Sequence, residues 1–266
     1  VAFDLETTGL DPITDRIVEI GAVRFDGEAR ERGRFQHLVN PRRAVSETAR
    51  AVHGISDLEL ASAPEIEEVL RSWRIWLAEE PVAGLVAHNA RFDASFLIRE
   101  IARCGAEAMS GLVVFDTLAL ARRVRPGLIS YRLDALVAQL GLAVEGRGHR
   151  ALADSLSVMR LWLSLDGPSQ ARVAYGLDPG EEDDSPPRGW EGLSAAIERG
   201  DRVRMEYAGG TRGATPRDMT PLRFAHLGGT AYVVGLCHLD NQEKRFRLDR
   251  IVWYERIVIA RVEGGP

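Results

Sequence analysis

Strand-like runs of apolar residues open the chain, at Val1 to Glu6, Arg16 to Phe25 and Gly33 to Val39, and the turn Asp26-Gly27 predicts a hairpin between the second and third. From Pro64 to Glu79 the period changes to that of a helix. Ile66, Val69, Leu70, Trp73, Trp76 and Leu77 fall on one stripe, and Ser62 and Pro64 mark its entrance. The two tryptophans read as core, not as a base-stacking platform. Gly84 to Ala87 and Leu112 to Phe115 predict two more strands, each leading into a helix, Ala90 to Arg103 and Thr117 to Arg123. Helices over Leu133 to Leu140 and Arg150 to Leu165 follow. Three antiparallel strands and then βα units that add parallel strands predict an α/β layer architecture, a mixed sheet flanked by helices.

The pattern breaks at Asp178-Pro-Gly-Glu-Glu-Asp-Asp-Ser-Pro-Pro187, where five acids and three prolines accompany no large apolar residue. Such a run cannot bury enough surface to order itself and reads as a linker. Beyond it come one helix, Trp190 to Arg199, and strands at Arg202 to Tyr207, Arg245 to Asp249 and Ile257 to Val262. The expected organisation is a first domain over 1–167, an acidic Pro-rich linker region over 168–188 and a small β-rich domain over 189–266. A length of 266 residues with 45% hydrophobic content suits two modest domains.

Composition adds little. Cys104 and Cys237 match no C-x-x-C spacing and read as reduced core thiols. No apolar run approaches the ~20 residues needed to cross a bilayer, so the expectation is a soluble, cytoplasmic protein with no membrane partner. Val1 lies inside the first strand pattern, which implies native residues before it. The net charge of −5 argues against coating nucleic acid through an overall field but leaves room for a local basic groove. From Arg188 onward thirteen basic residues stand against ten acidic ones, so the positive excess lies in the C-terminal domain. All but one of the 34 basic residues are Arg, which suits bidentate phosphate contacts.

Three segments carry candidate chemistry. In the first strand the period of two puts Asp4 and Glu6 on one face. Two like charges on a core strand are costly unless a cation neutralises them, and hard oxygen donors favour Mg²⁺ or Mn²⁺ over zinc. Alone, the pair is equally a solvated strand face. Asp93 falls in the first turn of a helix at a strand's carboxyl end, where ligands gather in open α/β sheets, although an acid there also compensates the helix dipole. His149 follows the glycine-rich stretch Gly146-Arg-Gly and precedes a helix that contains Asp154. Those glycines would let the imidazole swing; a lone His in that place is otherwise a cap or a surface residue.

Together, in this order, the segments resemble the DEDDh family of 3′-to-5′ exonucleases, which includes the proofreading epsilon subunit of bacterial DNA polymerase III. The resemblance covers residues 1 to about 166. Its first motif, acid-x-acid followed by threonine and glycine, falls on Asp4, Glu6, Thr8 and Gly9; the second falls on Asn89 and Asp93, the third on His149 and Asp154. A sister class has Tyr four residues before the last Asp, where this chain has Arg150. Ala51-Val-His-Gly-Ile-Ser56 is typical of the epsilon-like branch, with His53 structural or at the groove's edge. The resemblance implies a ribonuclease-H-like fold, two divalent cations, Mg²⁺ or Mn²⁺, and two-metal phosphodiester hydrolysis. Asp4 would bridge the cations, Glu6 and Asp154 would hold one, and Asp93 would serve the other. His149 would be the general base, because an imidazole takes a proton from water near neutral pH. Backbone N–H groups around Thr7 and Thr8, with Gly9, Leu10 as an apolar wedge, and Asn89 would bind the terminal nucleotide of a nucleic-acid 3′ end, single-stranded DNA being favoured.

The C-terminal domain resembles a WYL domain, over about Trp190 to Val262, which implies a small Sm/SH3-like barrel. The carrying pieces are the leading helix, Val203 to Tyr207, Thr220-Pro-Leu222, the strand around Tyr232, and Arg245-Phe-Arg-Leu-Asp-Arg-Ile251; the naming triplet is degenerate, as Ala231-Tyr232-Val233. By resemblance Tyr232, Arg247 and Arg250 would line a site for a regulatory ligand or nucleic acid. The alternative is an Arg-studded strand face that only solvates the domain. Two other functions stay open: the same chemistry on RNA, and a ligand-sensing regulator with a non-catalytic nuclease domain.

Overall fold

The computed structural model describes residues 1–107, 109–142, 149–177, 186–208, 216–227 and 230–257. Strand β1 (Ala2–Thr7) is central in the sheet and buried along nearly its whole length. It pairs antiparallel with β2 (Ile17–Phe25), which pairs with β3 (Glu31–Leu38). On its other side β1 meets β4 (Leu85–Ala87) in parallel, and β5 (Val113–Asp116) continues the sheet in parallel. The last strand, β6 (Ala174–Gly176), closes the row antiparallel to β5, in the order β3-β2-β1-β4-β5-β6.

Phe3 and Leu5 point into the first core with Trp73, Phe96 and Leu97, which come from α3 (Ile66–Ala78) and α4 (Ala90–Cys104). Ala2 belongs to the second core, with Leu120 of α5 (Thr117–Val124), Leu136 of α6 (Leu133–Gln139), and Leu156, Met159 and Trp162 of α7 (Ala151–Ser164). Asp4 and Glu6 share the parity of Ala2, so they face α7. Trp73 and Trp76 pack around Phe35, as core residues do.

Two short helices were not expected, α1 (Glu47–His53) and α2 (Asp57–Ala61). Local chemistry builds them: Ser46 caps the first, Gly54 ends it in the left-handed region, and Ser56 with Glu59 forms a capping box for the second. Helix α8 (Gly167–Gln170) and β6 lie in the stretch read from sequence as linker, and Leu177 is fully buried in the first core. The acidic run through residue 185 lies outside the described residues, and the chain divides into compact units Val1–Pro179 and Gly180–Pro266.

In the second unit α9 (Glu191–Arg199) supplies Leu193 and Ala196 to a core completed by Val203, Met205, Met219, Val233 and Phe246. The strands are β7 (Arg202–Tyr207), β8 (Pro216–Leu227), β9 (Thr230–Cys237), β10 (Gln242–Arg247) and β11 (Ile251–Ile257). All pair antiparallel in the order β10-β9-β8-β7-β11. Among the described residues β10 and β11 are the ends of an open row, where a closed Sm/SH3-like barrel was expected. Of the strand expected over Ile257 to Val262, Ile257 ends β11, and residues 258–262 lie outside the described ones. The run Arg245 to Asp249 is strand only as far as Arg247, and Leu248–Arg250 forms a 3₁₀ turn. Cys104 and Cys237 are free thiols. Among the described residues no helix is long and apolar enough to cross a membrane.

Candidate active site

Asp4 and Glu6 leave β1 on the α7 side, and β2 presents Gly21 directly opposite Asp4 and Glu19 opposite Glu6. At Gly21 a side chain is excluded by its neighbour: a Cβ would stand 2.2 Å from the backbone of Ala151 and Leu152. The bare backbone lets the first turn of α7 come down onto β2, which carries Asp154 to the strand acids. Asp4, Glu6 and Asp154 can each offer an oxygen within 4.8 Å of the others. Burial, and then the charges of Asp93, Glu6 and Asp154, hold the Asp4 carboxyl well above the usual range. Burial, followed by Asp154 and Glu19, pushes Glu6 up to about 8. Asp154 is raised by burial, although His149 works against the shift.

Asp93 is buried in the first turn of α4, behind Asn89, whose backbone at φ 63° turns the chain from β4 into the helix. Burial raises its pKa, while its own amide and that of Leu5 donate to it and oppose the rise. It is therefore tied to β1 and is the strongest charged neighbour of Asp4, outside the tight group of three. Four mutually repelling carboxyls with hard oxygen donors fit divalent cations such as Mg²⁺ or Mn²⁺.

His149 is exposed at the rim, with φ 62°, and its amide donates to Asp154 Oδ2 at 3.1 Å. The glycine stretch before it, residues 143–148, lies outside the described residues. His149, Asp4, Asp154 and Asn89 line one cleft of about 730 Å³ together with Arg122, Ile129 and Arg132. The turn after β1 is braced by its own hydrogen bonds. The Thr8 amide donates to Arg16 O at 2.9 Å and its hydroxyl to Asp15 Oδ1 at 3.0 Å, so both are spent inside the turn. Thr7 Oγ1 donates to Gly9 O, and a Cβ at Gly9 would press on the Asp15 carboxylate, which the turn already holds. That bracing leaves Leu10, 84% exposed, to project from the turn. His53 is buried, and its Nδ1 accepts from the Ile55 amide, a structural bond.

Residues 1–162 match the model of a family described as Exonuclease. The chain belongs to this exonuclease family. Over 166 residues the exonuclease is 40% identical to the DNA polymerase III subunit epsilon of Treponema pallidum, covering 62% of this chain and 74% of that one. Over 155 residues it is 39% identical to the PolC-type DNA polymerase III of Oceanobacillus iheyensis, covering 58% of this chain but only 10% of that long relative. Among solved structures, Exonuclease X in complex with 5′ overhanging duplex DNA matches with a TM-score of 0.51 and 30% identity, covering 63% of this chain and 91% of the other. The nuclease domain of 3′hExo, a DEDDh family member bound to rAMP, matches in fold with a TM-score of 0.58 at 17% identity, covering 66% and 95%. The first unit is thus a ribonuclease-H-like exonuclease domain, a nuclease hydrolase. Residues 190–255 match the model of the WYL domain.

In the WYL domain Tyr232 and Arg247 are cross-strand partners on β9 and β10. The Arg247 guanidinium is engaged by Asp249 at 2.6 and 3.0 Å, and Arg250 sits exposed in the 3₁₀ turn. Sequence reading missed Arg245, whose guanidinium lies 5.0 Å from the centroid of the Tyr232 ring. It also missed Glu19 and its partner Arg150. The signal for Glu19 was a single acid inside the apolar run Ile17-Val-Glu-Ile20, a place where a charge persists only with a partner.

Proposed function

We propose that this chain is a stand-alone, divalent-metal-dependent 3′-to-5′ exonuclease that releases nucleotides from DNA 3′ ends. One observation above all supports the reading: three carboxyls from two elements, Asp4, Glu6 and Asp154, crowd within 4.8 Å although burial and mutual repulsion disfavour their charged forms. Evolution of a stable domain without a cation there would favour replacing at least one of them. Asp4, Glu6, Asp93 and Asp154 would hold two cations, Mg²⁺ or Mn²⁺, which when bound supply charge neutralisation at the phosphate and acidify water. His149, at the cleft's rim and tied to Asp154 through its amide, takes the proton of the attacking water. The water oxygen adds to phosphorus, the bond to the preceding nucleotide's 3′ oxygen breaks with its electron pair staying on that oxygen, which takes a proton from solvent to become the new 3′-hydroxyl, and a nucleoside 5′-monophosphate leaves. Leu10, presented by the braced turn, wedges beside the terminal base, and Gly9 and Asn89 line the place of its sugar and phosphate.

DNA is favoured because relatives at 39–41% identity are DNA polymerase III proteins or epsilon-like proteins. The WYL domain, with Tyr232, Arg245, Arg247 and Arg250, would hold nucleic acid or an anionic effector. The test is degradation of end-labelled single-stranded DNA, duplex DNA and RNA with Mg²⁺, Mn²⁺ or EDTA. Loss of labelled 3′ nucleotides from DNA with metal alone is expected. Undiminished cleavage in EDTA refutes the mechanism, and faster cleavage of RNA reassigns the substrate.

A further inference from the structure

We propose that Glu19 is a positioning residue of the hydrolytic site, the clamp that holds His149 and Asp154 in register with the acids of β1. The inference rests on the roles proposed above for those two residues. Glu19 is fully buried on β2, directly across from Glu6, and would pass for a fifth ligand from its place alone. Its acceptor capacity is already filled. Oε1 accepts from Gln36 Nε2 at 2.8 Å and Arg150 Nη2 at 2.7 Å; Oε2 accepts from Arg150 Nε at 3.1 Å and from the Ala151 amide at 3.1 Å. Two hydrogen bonds to each oxygen leave a carboxylate no further lone pair to offer a cation.

What it grips explains the arrangement. Helix α7 has no side-chain cap of its own: Arg150 stands at the N-cap position and cannot accept the amides of the first turn. Glu19 supplies from a neighbouring strand the acceptor that the helix lacks, and its bidentate bond to Arg150 fixes the residue next to His149. Two residues along β2, Gly21 supports the same turn by direct backbone contact with Ala151 and Leu152. The same device recurs at the residue just before β2. There Arg16 Nε and Nη2 donate to the buried Glu100 of α4 at 2.7 and 2.9 Å, on the helix that carries Asp93. One strand that contributes no ligand thus ties down both helices that do.

Glu19→Gln keeps the volume and the Gln36 contact but turns one oxygen into a donor facing Arg150 or the Ala151 amide. In ¹⁵N-labelled full-length protein, the Ala151 amide should move upfield and lose exchange protection, with changes confined to the start of α7 and β2. On a short single-stranded DNA with Mn²⁺, kcat should fall about 10- to 100-fold while KM stays within about twofold, as for residues that orient a metal's ligands. Mn²⁺ binding, read by electron paramagnetic resonance, should weaken and not vanish. Arg150→Lys, at a half-exposed position that leaves the fold unburdened, should reproduce the loss in part, and the double variant should be no worse than Glu19→Gln alone. A local amide change with wild-type kcat, or a spectrum altered throughout so that the loss follows global unfolding, overturns the proposal. Complete loss of Mn²⁺ binding overturns it too, by making Glu19 a ligand. If the wild type itself neither binds Mn²⁺ nor cuts, the hydrolytic reading fails, while the amide shift still reports whether the clamp exists.

Discussion

At the scale of single residues, the decisive fact is that burial and like charge act in the same direction on Asp4, Glu6 and Asp154. Glu6 is pushed up to about 8, against an ordinary value of about 4.3 in the unfolded chain. Its folded form therefore holds a proton that the unfolded chain has already lost. The stability this adds is complete below the unfolded value and disappears as pH rises through the folded one. Metal-free protein should thus melt at lower temperature at pH 9 than at pH 6. Since a tenfold change in proton affinity is worth about 1.4 kcal/mol, the loss amounts to roughly a few kcal/mol. Glu6→Gln should flatten that dependence, and Mg²⁺ should restore stability at the higher pH. Identical melting of wild type and variant in EDTA at both pH values would contradict the cluster. Asp4→Ala should abolish cleavage while leaving metal-free stability equal or higher, since it removes repulsion. His149 lies on the rim and contacts Asp154 only through its amide, so His149→Ala should lower kcat by about 10²–10⁴-fold. Mn²⁺ affinity should hardly change. Loss of metal binding in that variant would make the imidazole a ligand.

At the scale of elements, the site exists because α7 lands on β2 at one bare position. Gly21→Ala would press a methyl group against the backbone of Ala151 and Leu152, where no side chain can swing aside. The expected cost is about 1–3 kcal/mol, measured by urea unfolding, together with reduced cleavage at temperatures where the variant is still folded. A neutral result on both would mean that α7 approaches less closely. Legibility differed sharply among elements. The stripe from Ile66 to Leu77 and the strands around Phe3 and Ile20 announced themselves because each buries an apolar face of definite period. Helices α1 and α2 are too short for a period to show, and only their caps, Ser46 and Ser56 with Glu59, betray them. Strand β6 has three residues and becomes a strand only because β5 offers it an edge.

At the scale of the whole chain, β6 and Leu177 belong to the nuclease unit, so a truncation should be made after Pro179 and not before Ala174. Protein ending at Pro179 should keep its rate on short oligonucleotides and lose affinity or processivity on long strands if the WYL domain tethers DNA, because tethering raises local concentration without changing the catalytic step. Protein ending at Arg172 should instead be unstable, since β5 loses its outer partner β6 and the first core loses Leu177. Within the WYL domain, Arg247→Glu and Arg250→Glu should reproduce the loss on long strands and reduce the salt dependence of binding, since each phosphate contact adds to that slope. Filter binding of single-stranded DNA by the full chain and these variants at two salt concentrations reads this directly. Unchanged binding would turn the domain into a sensor of something other than DNA.

Residue spacing was enough to place Asp4 and Glu6 on one face, to put Asp93 in the first turn of one helix and to put Asp154 inside another, and the order of these segments carried the resemblance to the exonuclease family, because those relations are local. The closeness of Asp154 to the strand acids is not local; it follows from Gly21 opposite Asp4 and from a clamp between Glu19 and Arg150, 131 residues apart in the chain. The spent amide of Thr8, taken by Arg16, and the stacking of Arg245 on Tyr232 likewise arise from strand register, which no single segment contains. A charge in a buried strand tells that it must have a partner, and only the folded chain tells which one.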